Sequence, residues 1–160
     1  MYLLAHATTT IDCPRQAVFD YTANLEHFGE WFPGVLQMTA IDGLAFDAVG
    51  KQYRETIAVP LRGQRSVLVQ VVQAAAPSRI VTEGSLALVL PRMEMTFRDE
   101  GADTCEVEWR MFSRSMSSLA RWTILPLVRH LMNQRAQVAM RRLKRRLEAE
   151  RLSQPHPHHA

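Results

Sequence analysis

The sequence predicts an α+β fold: a curved, seven-stranded antiparallel sheet wrapped around one long C-terminal helix, with two short helices between strands 1 and 2. Three observations carry this. First, Leu127, Val128, Leu131, Met132, Ala136, Val138, Ala139, Met140, Leu143 and Leu147 recur at three- and four-residue steps, the period of one helical stripe. Second, six strand-like runs separated by turn residues follow Trp31. Third, the last two runs alternate cleanly, which gives the sheet one apolar and one charged face.

The elements follow in order. Tyr2 to Ile11 is rich in threonine and alternates, with Leu3, Ala5, Ala7, Thr9 and Ile11 on one face. Cys13-Pro14 disfavours helix at the cysteine and presets the turn after it, so a short helix runs from Pro14 to about Tyr21, burying Ala17, Val18 and Tyr21. Asn24 caps a second helical turn, Leu25 to Phe28, which Gly29 closes. Strands are expected at Val35 to Asp42, Gly50 to Val59, Arg65 to Gln73, Ser78 to Gly84, Ala87 to Arg98 and Thr104 to Phe112. Asp42-Gly43, Pro60 to Gly63 and Ala76-Pro77-Ser78 supply turn chemistry between them. Pro91 cannot donate to a ladder, so its run has an edge or a bulge there.

Ser117 to Arg151 reads as one docking helix with a kink or fresh start at Pro126, since proline is tolerated only in a first turn, and with Ser117 to Leu125 as a separate lead-in turn. From Pro126 onward it spans roughly 39 Å, and a stripe that long needs a concave partner surface. Its other face carries Arg129, Gln134, Arg141, Lys144, Arg145 and Glu148.

With 160 residues, 47% hydrophobic and 22% charged, the chain reads as one domain over residues 1–152 and a disordered His/Pro tail over 153–160. That length buries a core without disulfides or metals. Cys13 and Cys105 have no ligand-spaced partner, so metal binding through them is not expected; a bridge between them is conceivable, and free thiols are the default. No cofactor motif is present. The start of the chain lacks the form of a signal peptide and no run reaches membrane-spanning length, which points to a cytoplasmic protein. Net charge is +3, concentrated at Arg141 to Arg146; a solvated helix face is the plain reading, a nucleic-acid or anionic-membrane patch the alternative.

Ile11-Asp12-Cys13-Pro14-Arg15-Gln16-Ala17-Val18-Phe19, then Trp31-Phe32-Pro33-Gly34-Val35, with Gly50, Gly63 and Pro77 at strand boundaries, resemble the START-related SRPBCC superfamily, in particular its polyketide cyclase/dehydrase and lipid-transport branch. The resemblance covers about Met1 to Ala149. It implies a helix-grip fold with a hydrophobic cavity between sheet and helix, and members that bind lipids, quinones, polyketides or other apolar ligands. It carries no shared catalytic set.

Residues expected to face such a cavity are Tyr53, Glu55, Ile57 and Val69 from the middle strands, and Met93, Met95, Phe97, Trp109 and Met111 from the last two. The long helix adds Val128, Leu131, Met132 and Arg135. The methionines suit an adaptable apolar pocket and equally a filled core. If Glu55 and Arg135 both point inward they can pair and orient a polar ligand group; a bulge at Glu55 and an outward reach of the Arg135 stem would leave both in water. His6, His27 and His130 have no partner that spacing certifies, and Ser113 to Ser118 read as turn and cap residues. Phe46, Trp31 and Phe32 are candidates for a portal.

The function this supports is a carrier or sensor of a small hydrophobic ligand, without specific nucleic-acid binding and with at most peripheral membrane contact. The alternatives are an enzyme of the cyclase/aromatase or hydratase type using the same cavity with Glu55, Tyr53 or a histidine as acid or base, and a partner-binding module using the basic helix end.

Overall fold

The computed structural model describes residues 1–154. Its order of elements is β1 (Tyr2–Ile11), α1 (Arg15–Ala23), a 3-10 turn (Leu25–His27), α2 (Phe28–Trp31), β2 (Val35–Ala40), β3 (Gln52–Val59), β4 (Gly63–Ala75), β5 (Arg79–Gly84), β6 (Pro91–Gly101), β7 (Thr104–Ser113), α3 (Ser118–Trp122) and α4 (Ile124–Ser153). All seven strands form one sheet in the order β1-β7-β6-β5-β4-β3-β2, each neighbour antiparallel. The chain thus winds by hairpins from β2 to β7, and α4 returns across the concave face.

Local chemistry explains most boundaries. The Asn24 side chain accepts from Glu26 N at 3.2 Å, capping the 3-10 turn as expected, but Gly29 does not end the helix, which continues to Trp31. Helix α1 buries Val18, Phe19, Thr22 and Ala23, whereas Ala17 faces water and Tyr21 is half-buried. Pro91 is the first residue of β6, so its missing donor costs no ladder bond and neither an edge nor a bulge is needed. Pro126 sits in the first turn of α4, again without loss. The helix extends through Ser153, two residues beyond the expected end; the rest of the expected tail, 155–160, lies outside the described residues.

In β1 the register against β7 shifts between Leu3 and Ala5. The shift turns Leu4 inward, to 1% exposure, and leaves Leu3 outward, reversing the expected face at that one position. Beyond it Ala5, Ala7 and Ile11 are buried as the alternation predicts. The same alternation holds for Met93, Met95 and Phe97 on β6 and for Cys105, Val107 and Trp109 on β7, all buried.

The outer face carries a ladder of ion pairs. Glu94 lies among Arg79, Arg92 and Arg110, Glu83 joins Arg92 to Arg114, and Arg98 bridges Glu106 and Glu108. Burial alone would push the Glu94 carboxyl up, but the Arg92 hydrogen bond and the three guanidinium charges hold it below the usual range.

Helix α4 is gripped unevenly. Its C-terminal half buries Ala136, Ala139, Met140, Leu143 and Leu147, mainly against β1. Polar clamps fix that end: Glu148 accepts from Asp12 N at 3.0 Å, Lys144 Nζ donates to Thr10 O at 2.6 Å, and Arg151 donates to Asp12 O at 2.6 Å. Between Ile124 and Arg135 Leu125 alone is buried. Val128, Leu131 and Met132 are half-buried, and Leu127, expected in the stripe, is 71% exposed. Leu4, Val89, Ala120 and Leu125 form a small second core that holds this half of the helix.

Candidate functional site

Strand β3 positions a carboxyl, Glu55, at a cavity under the sheet. Its register with β4 runs without interruption from Gln52↔Gln70 to Val59↔Gly63, so Tyr53 and Glu55 keep the same inward parity and no bulge turns Glu55 out. Tyr53 is fully buried, and Glu55 lines a small cavity under the sheet. The cavity holds about 40 Å³ and is walled by Leu25, Phe28, Met38, Val69, Thr82, Gly84, Pro91, Met93 and Met111 besides Glu55. That is room for a few water molecules, well short of the several hundred Å³ of an open small-molecule site.

Glu55 makes no hydrogen bond or ion pair among the described residues. It is half-buried because part of its surface meets the cavity, while packed protein around the carboxyl withholds solvation and raises its pKa to about 7. Desolvation is the sole cause, so the group is close to half protonated at neutral pH and can present either a donor or an acceptor.

Arg135 does not meet it. The guanidinium packs against Gly34 so closely that a β-carbon there would overlap Nη1 and Cζ, and burial lowers its pKa. Expected as a candidate pair, the two charged groups are both half-buried but form no ion pair, and Arg135 is absent from the cavity wall. Gly34 has φ +87°, a left-handed conformation that costs a non-glycine residue about 1 kcal/mol or more. Gly34→Ala is therefore expected to lose about 1–2 kcal/mol in urea unfolding, with the flexible guanidinium moving aside. An unchanged midpoint would show that residue 34 does not hold this left-handed conformation.

Of the other expected site residues, Val69, Met93 and Met111 line the cavity. Met95, Phe97 and Trp109 are buried in the core beside it, and Ile57 and Met132 pack on that core from its edge. Val128 joins the second cluster and Leu131 is half-buried on α4. Sequence reasoning missed Leu25, Phe28, Met38, Thr82, Gly84 and Pro91. Met38 was masked by a register shift between Val35 and Gln37, which changes inward parity along β2. At Gly84 a β-carbon would lie 2.9 Å from the Pro91 ring, so the absence of a side chain lets the two meet at the cavity wall.

The portal candidates are core residues. Trp31 and Phe32 are buried, Phe32 packs on Trp109 with centroids 5.1 Å apart, and Phe46 leans on Phe19. His6 pairs with Glu108 on the outer face, His130 contacts Gln134 on the exposed side of α4, and His27 stacks on Tyr21 beside Glu30. Cys13 and Cys105 are buried free thiols. Among the described residues no three His, Cys, Asp or Glu side chains gather to hold a metal, and no helix is long and apolar enough to cross a membrane.

Among the described residues, three polar groups on side chains next to cavity-lining residues are buried and donate to no protein acceptor, although the Tyr53 oxygen lies near the Leu25 N–H. They are the Tyr53 hydroxyl, whose pKa burial raises to about 12, and the indole N–H groups of Trp31 and Trp109. Tyr53 is two residues before Glu55, Trp109 two before Met111, and the Trp31 ring packs edge-on against Phe28.

A seven-stranded antiparallel sheet closed over one long helix, with two short helices between its first two strands and a small, mainly apolar cavity under the sheet, defines a helix-grip protein of the START-like SRPBCC superfamily. Residues 4–148 match the model of one of its families, described as polyketide cyclase / dehydrase and lipid transport, and the chain belongs to that family. Solved structures agree on the fold. A protein from Thermus thermophilus is 15% identical with a TM-score of 0.71, covering 91% of this chain and 97% of its own. A START superfamily protein from Mycobacterium smegmatis is 13% identical at 0.67, covering 92% and 99%. The di-domain ARO/CYC StfQ from the steffimycin biosynthetic pathway is 15% identical at 0.65, covering 92% of this chain, which spans 45% of that protein. No curated protein sequence matches the chain.

Proposed function

We propose that the protein binds a small, mainly apolar molecule bearing an oxygen function between the sheet and α4, as a carrier or sensor. The observation that carries this reading is Glu55: a desolvated carboxyl without a protein partner among the described residues, facing a cavity whose only other polar side chain is Thr82, is a group held ready for a ligand atom. Tyr53, Trp31 and Trp109 carry buried donors without a protein acceptor, a chemistry that suits carbonyl or hydroxyl oxygens, as in a lipid, quinone or polyketide-like molecule. The cavity is too small for such a ligand as it stands. Met38, Met93 and Met111 are the adaptable part of its wall, and Val128, Leu131, Met132 and Arg135 on the less buried start of α4, which do not line the cavity, would have to move to admit a larger ligand.

Native against denaturing mass spectrometry of gently purified protein tests this, followed by titration of the emptied protein with 1-anilinonaphthalene-8-sulfonate. A released apolar mass, or saturable dye binding that Val69→Trp weakens by roughly tenfold or more, is expected. An empty wild-type chain that binds no dye removes the reading.

A second reading rests on the same carboxyl. A group with a pKa of about 7 is suited to donate or accept a proton, so a cyclase- or dehydratase-type reaction at Glu55 is the catalytic form of this site. Glu55→Gln distinguishes the two: turnover would vanish while binding persists, whereas in a carrier only affinity changes.

A further inference from the structure

We propose that the corner formed by α3 and the start of α4 is a docking surface for an anionic lipid bilayer, with Trp122 and its apolar neighbours at the membrane boundary and Arg121 and Arg129 at the level of the phosphates. The proposal is independent of what the cavity holds.

Met116, Leu119, Trp122 and Leu127 are 92, 74, 86 and 71% exposed, four large apolar groups within twelve residues of chain. Single exposed leucines need no explanation, but a tryptophan amid three such neighbours does. The feature is built, not frayed: Ser117 caps α3 by accepting from Ala120 N at 3.2 Å, and Ala120 and Leu125 anchor the corner from beneath. Leu119, Trp122 and Pro126 follow at three- and four-residue steps, which keeps them on one side of a nearly continuous helical run. Trp122 and Pro126 also wall an open cleft with Tyr2, Ser118 and Arg121.

Charge decides what covers this surface. From Trp109 to Leu147 the chain has no Asp or Glu and ten Lys or Arg. At the corner, Arg121 lies over the Tyr2 ring at 5.8 Å and Arg129 is exposed; neither has a carboxylate partner among the described residues. A second copy seated on the same patch would set these cations against their own kind with no acid near to relieve them. A bilayer rich in phosphates has the complementary sign. Indole and arginine together are the pair that partitions to the headgroup region, with leucine and methionine reaching the acyl boundary. Met111 belongs both to the core beneath this corner and to the wall of the cavity, so the docked face adjoins the interior space.

The test is sedimentation of the full chain with phosphatidylcholine vesicles, with and without phosphatidylglycerol, together with tryptophan emission. Trp31 and Trp109 are fully buried, so a blue shift on adding vesicles reports Trp122. Binding to the phosphatidylglycerol vesicles, weakened by salt, is expected. Arg121→Glu with Arg129→Glu should lower the partition coefficient by roughly 30-fold or more, and Leu119→Ala with Trp122→Ala by roughly tenfold or more, at unchanged melting temperature because all four are surface groups. Absence of vesicle binding, equal binding to pure phosphatidylcholine, either double variant binding like wild type, or a Trp122-dependent dimer in light scattering in place of vesicle binding would overturn the proposal.

Discussion

Leu143→Ala is expected to lower the unfolding free energy by about 3–4 kcal/mol, and the melting temperature by roughly 10 °C. Leu143 is fully buried at the centre of the gripped half of α4, with Ala139, Met140 and Leu147 beside it. Truncation removes its transfer free energy and leaves a void that cannot collapse readily, because the polar clamps from Asp12, Thr10 and Arg151 hold the helix at its place on β1. Leu127→Ala is the control. It sits on the same sequence stripe, is largely in water, and should change stability by less than about 0.5 kcal/mol. Urea unfolding of both variants decides the matter, and equal losses would mean that α4 is gripped along its whole length.

That contrast marks where the sequence could be read and where it could not. Helical periodicity states which residues share a side, and it identified Ala136, Ala139, Met140, Leu143 and Leu147 correctly. It says nothing about how far along the helix the sheet reaches, so Leu127 looked equivalent to Leu143. Strand alternation was reliable where ladders run without a shift, as along most of β6 and β7, and failed by one residue at Leu3 and Leu4; on β2, where no face had been read, a second shift precedes the buried Met38. A bulge is a property of the pairing, not of either strand alone, and no local residue announced these two. Order and number of elements were legible because turn chemistry and the lone Pro126 punctuate them clearly. The site was legible in part. Parity placed Glu55 with Tyr53 and Ile57, but the absence of a bulge became visible only in the register of β3 with β4. The walls contributed by Leu25, Phe28, Gly84 and Pro91 come from three separate parts of the chain, whose meeting is a fact of tertiary packing.

Glu55→Gln should make the protein more stable at pH 8 by about 2 kcal/mol while leaving it nearly unchanged at about pH 4.5. The sign follows from proton counts. Between its ordinary value of 4.5 and about 7, Glu55 holds more proton in the folded chain than in the unfolded one, so its contribution to stability falls as pH rises through that window. Above 7 the folded protein carries an unpartnered, desolvated carboxylate. The full shift would be worth about 3 kcal/mol, reduced because the group retains access to the cavity. Glutamine fills the same volume, cannot ionise and escapes that penalty. Other acids act in the opposite direction: Asp42, lowered by its Lys51 hydrogen bond, and Glu148, lowered by Lys144 against the cost of burial, contribute stability at neutral pH that is lost as pH falls. Wild-type stability alone therefore shows a blunted optimum, and the difference between wild type and Glu55→Gln, measured by urea unfolding from about pH 4.5 to 8, isolates the one residue. A flat difference across that range would mean that Glu55 is solvated or partnered in solution, and would remove the feature on which the binding reading depends. A rising difference would show that the fold tolerates a persistent cost at this position, which is the usual mark of a group kept for what it binds and not for what it stabilises.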